Sequence, residues 1–301
     1  MDVIKIENLY KSYGEVKAVT DLSFKVKKGE LFAFLGVNGA GKSTTISMMC
    51  GTLKKDAGKI YIDGEDIDLN GDEIKRKIGV VFQNSALDKS LSVKDNLTHR
   101  AALYGIIGEE FENRLTQLID MLDFKDILNR PVGKLSGGQR RKVDVARALV
   151  HKPMILILDE PTTGLDPQTR TTLWAVIEKM RKEQGMTVLL TTHYMEEAAD
   201  ADYVVIIDGG RISAEGTPHD LKEKYAGDYI TLYGDKEDAV KALGLSYSAV
   251  SGGYRVDVPS TKYATKLIIE NPKLFEDYEI VKGKMDSVFL AVTGKNLSGD
   301  K

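Results

Sequence analysis

Four stretches of the chain are apolar almost without interruption: Leu31 to Leu35, Ile78 to Phe82, Met154 to Leu158 and Val188 to Leu190. Such runs predict strands covered on both faces, as in a parallel sheet. Other stretches alternate. Ile4 and Ile6 against Lys5 and Glu7, then Leu22, Phe24 and Val26 against Ser23, Lys25 and Lys27, predict half-buried antiparallel strands. Ile60 and Ile62 repeat the pattern ahead of an Asp63-Gly64 hairpin turn. Residues 92 to 151 carry helical spacing, for example Leu115, Leu118, Ile119 and Leu122, and predict a helical subdomain over about 84–151, inserted between two core strands.

From Asp228 the character changes again. Tyr229 to Tyr233 reads as a strand, Lys236 to Leu243 as a helix, and Tyr247 to Val250 with Tyr254 to Val258 as a hairpin around Gly252-Gly253. Thr261 to Glu270 then reads as a helix and Tyr278 to Val281 as a strand. The order βαββαβ suggests a small ferredoxin-like α+β domain over 226–301, behind an α/β domain over 1–225. The end of the chain, Asp286 to Gly294, brings Val288, Phe289, Leu290 and Val292 so close together that some of them must be covered.

Composition narrows the picture. A chain of 301 residues, 42% apolar, can bury one large core or two modest ones. With a formal charge of −3 and acids and bases interspersed, no basic face announces a nucleic-acid partner, and none is expected. One cysteine, Cys50, excludes internal disulfides and cysteine metal clusters and reads as a small buried hydrophobe. No run approaches the roughly 18 apolar residues of a membrane span, and Met1 to Lys5 lack an export signal. The chain is therefore expected in the cytoplasm unless a partner holds it at a membrane.

Each of the four apolar runs ends in a polar or glycine-rich loop: Gly36 onward, Gln83, Asp159-Glu160 and Thr191-Thr192-His193. Ligands of open α/β sheets bind beyond the carboxyl ends of the strands, so these four loops are expected to converge on one site. Gly36-Val37-Asn38-Gly39-Ala40-Gly41-Lys42-Ser43, followed by Thr44, fits a phosphate loop placed after a strand. Its glycines let backbone amides close around a β-phosphate, Lys42 reaches β and γ oxygens, and Ser43 ligates magnesium. Asp159, ending an apolar strand, supplies the second half of the magnesium site, and Glu160 is placed to polarise the attacking water as general base. ATP or GTP with Mg2+ is the expected ligand.

Leu135-Ser136-Gly137-Gly138-Gln139 has no task in an ordinary phosphate-loop enzyme. Ser136 caps a helix whose first amides the two glycines leave exposed, and a helix N-terminus carries about half a positive charge, suited to a γ-phosphate. An ordinary capped helix would carry the same glycines for packing, and only the full pentapeptide at this place separates the two readings.

With these motifs in order, the chain resembles the nucleotide-binding subunits of ABC transporters over roughly residues 2–225. The resemblance rests on an aromatic before the first core strand (Tyr13), the phosphate loop, a glutamine loop at Gln83, the signature at 135–139, Asp159-Glu160, an Asp loop at Gly164-Leu165-Asp166 and a switch histidine at His193. It implies a phosphate-loop ABC ATPase with a RecA-like core, an antiparallel β-subdomain and a helical subdomain. It further implies that Tyr13 stacks on adenine, although a core tyrosine would fit the same strand, with Tyr10 nearby. Gln83 would sense metal and attacking water, His193 would contact the γ-phosphate, and Asp166 would cross a dimer interface. Ser136 to Gln139 would complete the opposite subunit's site. The implied partners are a second ATP-binding subunit, identical or related, and a separate membrane-spanning permease that selects the cargo and holds the chain at the cytoplasmic face of the membrane. Val37 stands where many relatives have proline, which affects loop stiffness only.

Residues 87–107, Thr163 to Pro167, Thr192 to Ala198 and Asp286 to Gly294 look like the bacterial exporters of drugs, sodium, lipids or polysaccharides. Importer ATPases are the nearer alternative. Soluble ABC ATPases of repair or translation would bring long coiled coils or two cassettes, which this chain lacks, and a phosphate-loop kinase would leave Leu135 to Gln139 unexplained. The C-terminal domain follows every motif and is expected to regulate or stabilise a dimer, or to lie as a passive lid over apolar surface.

Overall fold

The computed structural model describes residues 1–295. They divide into two compact units, Met1–Ile212 and a second that begins at Ser213, so the division falls one helix ahead of the boundary expected at 225. Residues 296–301 of the expected second domain lie outside the described residues.

The first unit opens with the strands β1 (Asp2–Tyr13), β2 (Val16–Lys27) and β3 (Leu31–Leu35), then helix α1 (Lys42–Met49). Strands β4 (Ala57–Ile62) and β5 (Glu65–Asp66), helix α2 (Ile67–Lys77) and strand β6 (Ile78–Val81) follow. Three helices come next: α3 (Val93–Ala102), α4 (Gly108–Leu122) and α5 (Gly137–Leu149). The unit continues with β7 (Ile155–Asp159), α6 (Pro167–Gln184), β8 (Thr187–Thr192), α7 (Met195–Ala199) and β9 (Tyr203–Asp208). Strand β10 (Arg211–Gly216) spans the division between the units.

The continuous apolar runs are β3, β6, β7 and β8, and with β9 they pair in parallel in the order β9-β3-β8-β7-β6. Every residue of β3, β7 and β8 is buried, as expected of strands covered on both faces. The alternating stretches form an antiparallel sheet ordered β2-β1-β4-β5. Between β4 and β5, Asp63 and Gly64 both take positive φ (52° and 81°), the two-residue hairpin geometry the sequence predicts. Phe24 of β2 lies 5.2 Å, centroid to centroid, from Phe32 and 5.4 Å from Phe34 of β3, so the two sheets share one core.

The helical segment differs from the reading in one respect: residues 83–92 are loop, and the first helix begins only at Val93. Ser92 caps that helix in a box with Asp95, and Asn96 bonds back to the carbonyls of Asp88 and Ser92, so local side-chain bonding holds the loop in place of helix. The buried Arg114 of α4 donates to Leu149 O (2.6 Å) and Val150 O (3.2 Å), satisfying carbonyls at the end of α5.

The second unit holds α8 (Pro218–Tyr225), β11 (Asp228–Tyr233), α9 (Glu237–Ala242), β12 (Tyr247–Val250), β13 (Gly253–Val258), α10 (Thr261–Glu270), β14 (Tyr278–Val281) and α11 (Met285–Thr293). Strands β11 to β14 form an antiparallel sheet in the order β12-β13-β11-β14. Numbered within the unit that order is 2-3-1-4, the ferredoxin-like arrangement the βαββαβ pattern suggests. Its core gathers Ile230, Leu232, Val256 and Val258 with Val240, Ala264, Leu267 and Phe275. The crowded apolar stretch near the end is the helix α11, packed on α8; Val288 and Phe289 are buried, whereas Leu290 stays 46% exposed.

Candidate active site

The turn from β3 into α1 is shaped by glycines. A side chain at Gly36 would meet Ile207 O at 2.6 Å, and one at Gly41, whose φ is +108°, would meet Ala18 O at 2.5 Å. Only glycine fits either place, and the backbone from Gly36 to Ser43 closes into a cradle at the N-terminus of α1. The cradle opens on a cavity of about 360 Å3 lined by Ala18, Asn38, Gly39, Gly41, Lys42, Ser43, Thr44, Gln83 and Glu160. Gly36 and the buried Ala40 form the base of the same turn.

Lys42 is buried, and its ammonium donates to Gly36 O (2.7 Å) and Val37 O (3.2 Å), with Glu160 Oε1 at 3.6 Å. Burial pulls its pKa down, against the opposing pull of the Glu160 and Asp159 carboxylates. The amine is thus stripped of water and held on acceptors that an anion in the cradle could replace. Ser43 Oγ donates to Asp159 Oδ1 at 3.3 Å, joining the loop to the end of β7. A hydroxyl and a carboxylate so placed, beside a phosphate cradle, suit Mg2+ completed by phosphate and water oxygens.

Glu160 takes a positive φ of 46°, uncommon for a side-chain-bearing residue. Its N–H donates to Thr191 Oγ1 (3.0 Å), and the Thr191 hydroxyl donates in turn to Asp159 Oδ1 (2.6 Å). On the other side, Arg141 of α5 sits buried behind the carboxylates. It donates to Pro161 O and Phe82 O (both 2.7 Å), Glu160 O (3.1 Å) and Asp159 O (3.2 Å). One guanidinium thereby ties the end of β6, the end of β7 and the turn after it into a single frame.

The carboxylate of Glu160 is the meeting point. Gln83 Nε2 donates to its Oε2 at 3.1 Å, Thr163 Oγ1 donates to the same oxygen at 3.3 Å, and His193 Nδ1 lies 3.5 Å away. That histidine nitrogen is buried without a hydrogen-bond partner. Gln83, Lys42, Ser43, Asp159, Glu160 and His193 come from four different loops and meet here, the convergence expected of the strand ends.

Three predicted residues or segments stand apart from the cavity. Tyr13, at the end of β1, is 50% exposed with the Lys11 ammonium 5.7 Å from its ring centroid. Asp166 caps α6, accepting from Thr169 N (2.9 Å) and Thr169 Oγ1 (2.6 Å), bonds that hold its carboxyl below the ordinary range. Ser136 caps α5, its Oγ accepting from Gln139 N (3.2 Å) while Gln139 Oε1 accepts from Ser136 N (3.1 Å). Ser136 and Gly137 are exposed, and a side chain at Gly138 would strike Thr169 at 2.8 Å. None of residues 135–139 lines the phosphate cavity.

Sequence reading missed Arg141 and Thr191. The sequence gives Arg141 no role, and it places Thr191 only in the converging loop Thr191-Thr192-His193, without a task of its own. Cys50, read from the sequence as a small buried hydrophobe, is half-buried against the core with its thiol free, and burial pushes that thiol up to about 12.

Comparison with known proteins agrees with this geometry. Residues 19–163 match the ABC transporter family. The chain is 35% identical to the Nod factor export ATP-binding protein I of Rhizobium etli over 99% of this chain and 95% of that one. It is 40% identical to the linearmycin resistance ATP-binding protein LnrL of Bacillus subtilis over 76% of this chain and 73% of that one. Among solved structures, the dimeric ATP-binding cassette MJ0796 in a post-hydrolysis state with ADP and Pi superposes with a TM-score of 0.66 at 30% identity, over 71% of this chain and 98% of that one. The chain belongs to the ABC transporter family and is one of its ATP-binding, ATP-hydrolysing subunits.

Proposed function

We propose that the chain works as half of a dimer that hydrolyses ATP at composite sites and drives export through a separate membrane-spanning subunit. The observation that carries this reading is the split of the motifs. The phosphate cradle, Ser43, Gln83 and Glu160 line one cavity, with Asp159 against Ser43 and His193 against Glu160, while Ser136 and Gly137 sit exposed at the N-terminus of α5 and do not line it. A helix N-terminus of that kind suits the γ-phosphate held by a second subunit.

Within each half, Lys42 and the loop amides bind the phosphates, and Ser43 and Asp159 hold Mg2+, which supplies charge neutralisation for the developing transition state. Glu160 accepts the proton of the attacking water and is oriented by Gln83 and Thr163; His193 Nδ1 gains a γ-phosphate oxygen as its missing partner. Tyr13 stacks on the adenine and Asp166 crosses the dimer interface.

Support for a permease partner comes from a groove of about 230 Å3 lined by Ile67, Ile74, Phe82, Arg100, Tyr104 and Arg147 among others. Leu69 and Leu103, 81% and 71% exposed, neighbour its lining residues in sequence. Phe82 precedes the nucleotide-sensing Gln83, so a helix seated there would feel the state of the site. No helix of the described residues is long and apolar enough to cross a membrane, and the relatives' names speak of export and resistance, which favours docking at the cytoplasmic face of one. Cysteines at Leu69 and Leu103 should cross-link to the co-purifying membrane protein; a functional complex that never cross-links there would count against this docking.

The dimer is tested by mixing a Lys42→Ala chain with a Ser136→Ala chain. Each variant alone has no intact site, whereas a mixed dimer has one, so ATPase activity should return on mixing. A monomer hydrolysing at full rate at every concentration would overturn the composite site.

A further inference from the structure

The imidazole of His193 makes no hydrogen bond among the described residues: Nδ1 is buried without a partner, and the nearby Glu160 Oε2 is 3.5 Å away. A ring that must meet a phosphate oxygen in one orientation therefore needs another restraint. The next residue supplies it. The Tyr194 ring lies 4.2 Å from the imidazole, centroid to centroid, tilted by 37°. Its other contact is the guanidinium of Arg170, whose central carbon lies 4.5 Å from the Tyr194 centroid.

Among the described residues Arg170 has no competing strong partner: its Nε is buried without a hydrogen bond, and its ion pair with Glu196 is 3.9 Å long with the Glu196 side chain 89% exposed. The aromatic face is thus the main thing that holds the cation. Tyr194 is fixed at its backbone as well, where its N–H donates to Thr192 Oγ1 at 2.8 Å. Arg170 in turn belongs to the first turns of α6, whose N-cap is Asp166.

We infer that Tyr194 is a positioning residue for hydrolysis: in contact with both Arg170 and His193, its ring sets the orientation of the histidine toward the γ-phosphate and ties it to the helix that begins at Asp166. The inference rests on the proposed role of His193. The contact it requires is a π face rather than apolar bulk or a hydroxyl, because neither the cation nor the imidazole is held by the tyrosine oxygen in any hydrogen bond of the structure.

The test compares five variants of the full chain with its membrane partner, reading kcat and KM for ATP separately. Tyr194→Phe keeps the π face and should hold kcat within about twofold of the parent, and Tyr194→Leu keeps the apolar volume but should lose about fivefold to tenfold in kcat, the scale of one partly desolvated cation–π contact. KM should stay within about twofold in both, because the phosphate cradle is untouched. Arg170→Met should fall in the same direction, and Tyr194→Leu combined with Arg170→Met should be no worse than the weaker single variant, since the two act through one stack. Full kcat in Tyr194→Leu, an equal loss in Tyr194→Phe, or multiplying losses in the double variant would each overturn the inference. His193→Ala is the control that separates the two readings: if it retains full turnover, the assignment of the histidine itself fails.

Discussion

At the scale of single residues the site depends on a carboxylate with several neighbours and a backbone in an unfavoured conformation. Glu160→Gln keeps the shape of the side chain and removes the proposed base, so nucleotide should still bind while hydrolysis slows at least about a hundredfold, the usual scale for losing general-base catalysis. Single-turnover measurement checks this; near-normal turnover would move the base to another group, with His193 the next candidate. Arg141 is the less visible member. Its guanidinium satisfies four carbonyls in the buried frame behind Glu160, and Arg141→Met would leave several of them without a donor. At about 1–3 kcal/mol for each orphaned group, the variant should lose at least about 3 kcal/mol of stability, read as a lowered urea midpoint. An unchanged midpoint would mean that water replaces the guanidinium at no cost. The contrast between these residues explains what could be read in advance. Glu160 follows Asp159 at the end of an apolar strand, so the role proposed for it can be read from its position. Arg141 gains its meaning only from three chain segments that meet around it.

At the scale of elements, periodicity found the strands well because burial on two faces leaves an unmistakable apolar run, as in β3, β7 and β8. It placed a loop at Gln83 but not its extent to Ser92, inside the helical subdomain expected from about residue 84, where side-chain bonds from Asn96 and Asp88 stand in place of the helical ladder. Nor did it assign α11, whose apolar residues suit a helix or a strand equally until α8 appears beside it. The connection between α5 and β7 adds a titratable feature. His151 stacks on Tyr104 at 3.9 Å with the rings 5° apart, and its Nε2 contacts Ile78 O at 3.1 Å. Burial, with Arg100, Arg114 and Arg147 nearby, lowers its pKa to about 4 from the usual 6.5. The unfolded chain therefore takes up a proton first as the pH falls, so folding stability should decline from about pH 6.5 to about pH 4, by at most about 1.4 kcal/mol per pH unit, and level off below. His151→Phe keeps a ring for Tyr104 and removes the titration. Its stability curve should be flatter than the parent's across that window, measured by denaturant unfolding at several pH values. Parallel curves would show that His151 is protonated equally in both states.

At the scale of the whole molecule, the phosphate cavity is lined by residues of the first unit, and the core described for the second unit is built from its own strands and helices. Its ferredoxin-like order was legible because each strand alternates cleanly and Gly252-Gly253 marks the hairpin. The position of the division was less legible, since α8 follows β10 without a composition change and declares its allegiance only by packing on α11. This packing says where to perturb the unit. Phe289 is 1% exposed on α11, and Phe289→Ala should destabilise the second unit by about 3–5 kcal/mol, the usual cost of emptying a buried aromatic site. If the unit stabilises the dimer, the variant should show a larger monomer fraction in sedimentation while the affinity of the isolated site for ATP stays within about twofold, because Lys42, Ser43 and Gln83 are untouched. An unchanged monomer fraction would assign the unit the role of a passive cover. A folded variant with weakened nucleotide binding would instead place part of the nucleotide site beyond Ser213, against the separation of chemistry and regulation that the two cores suggest.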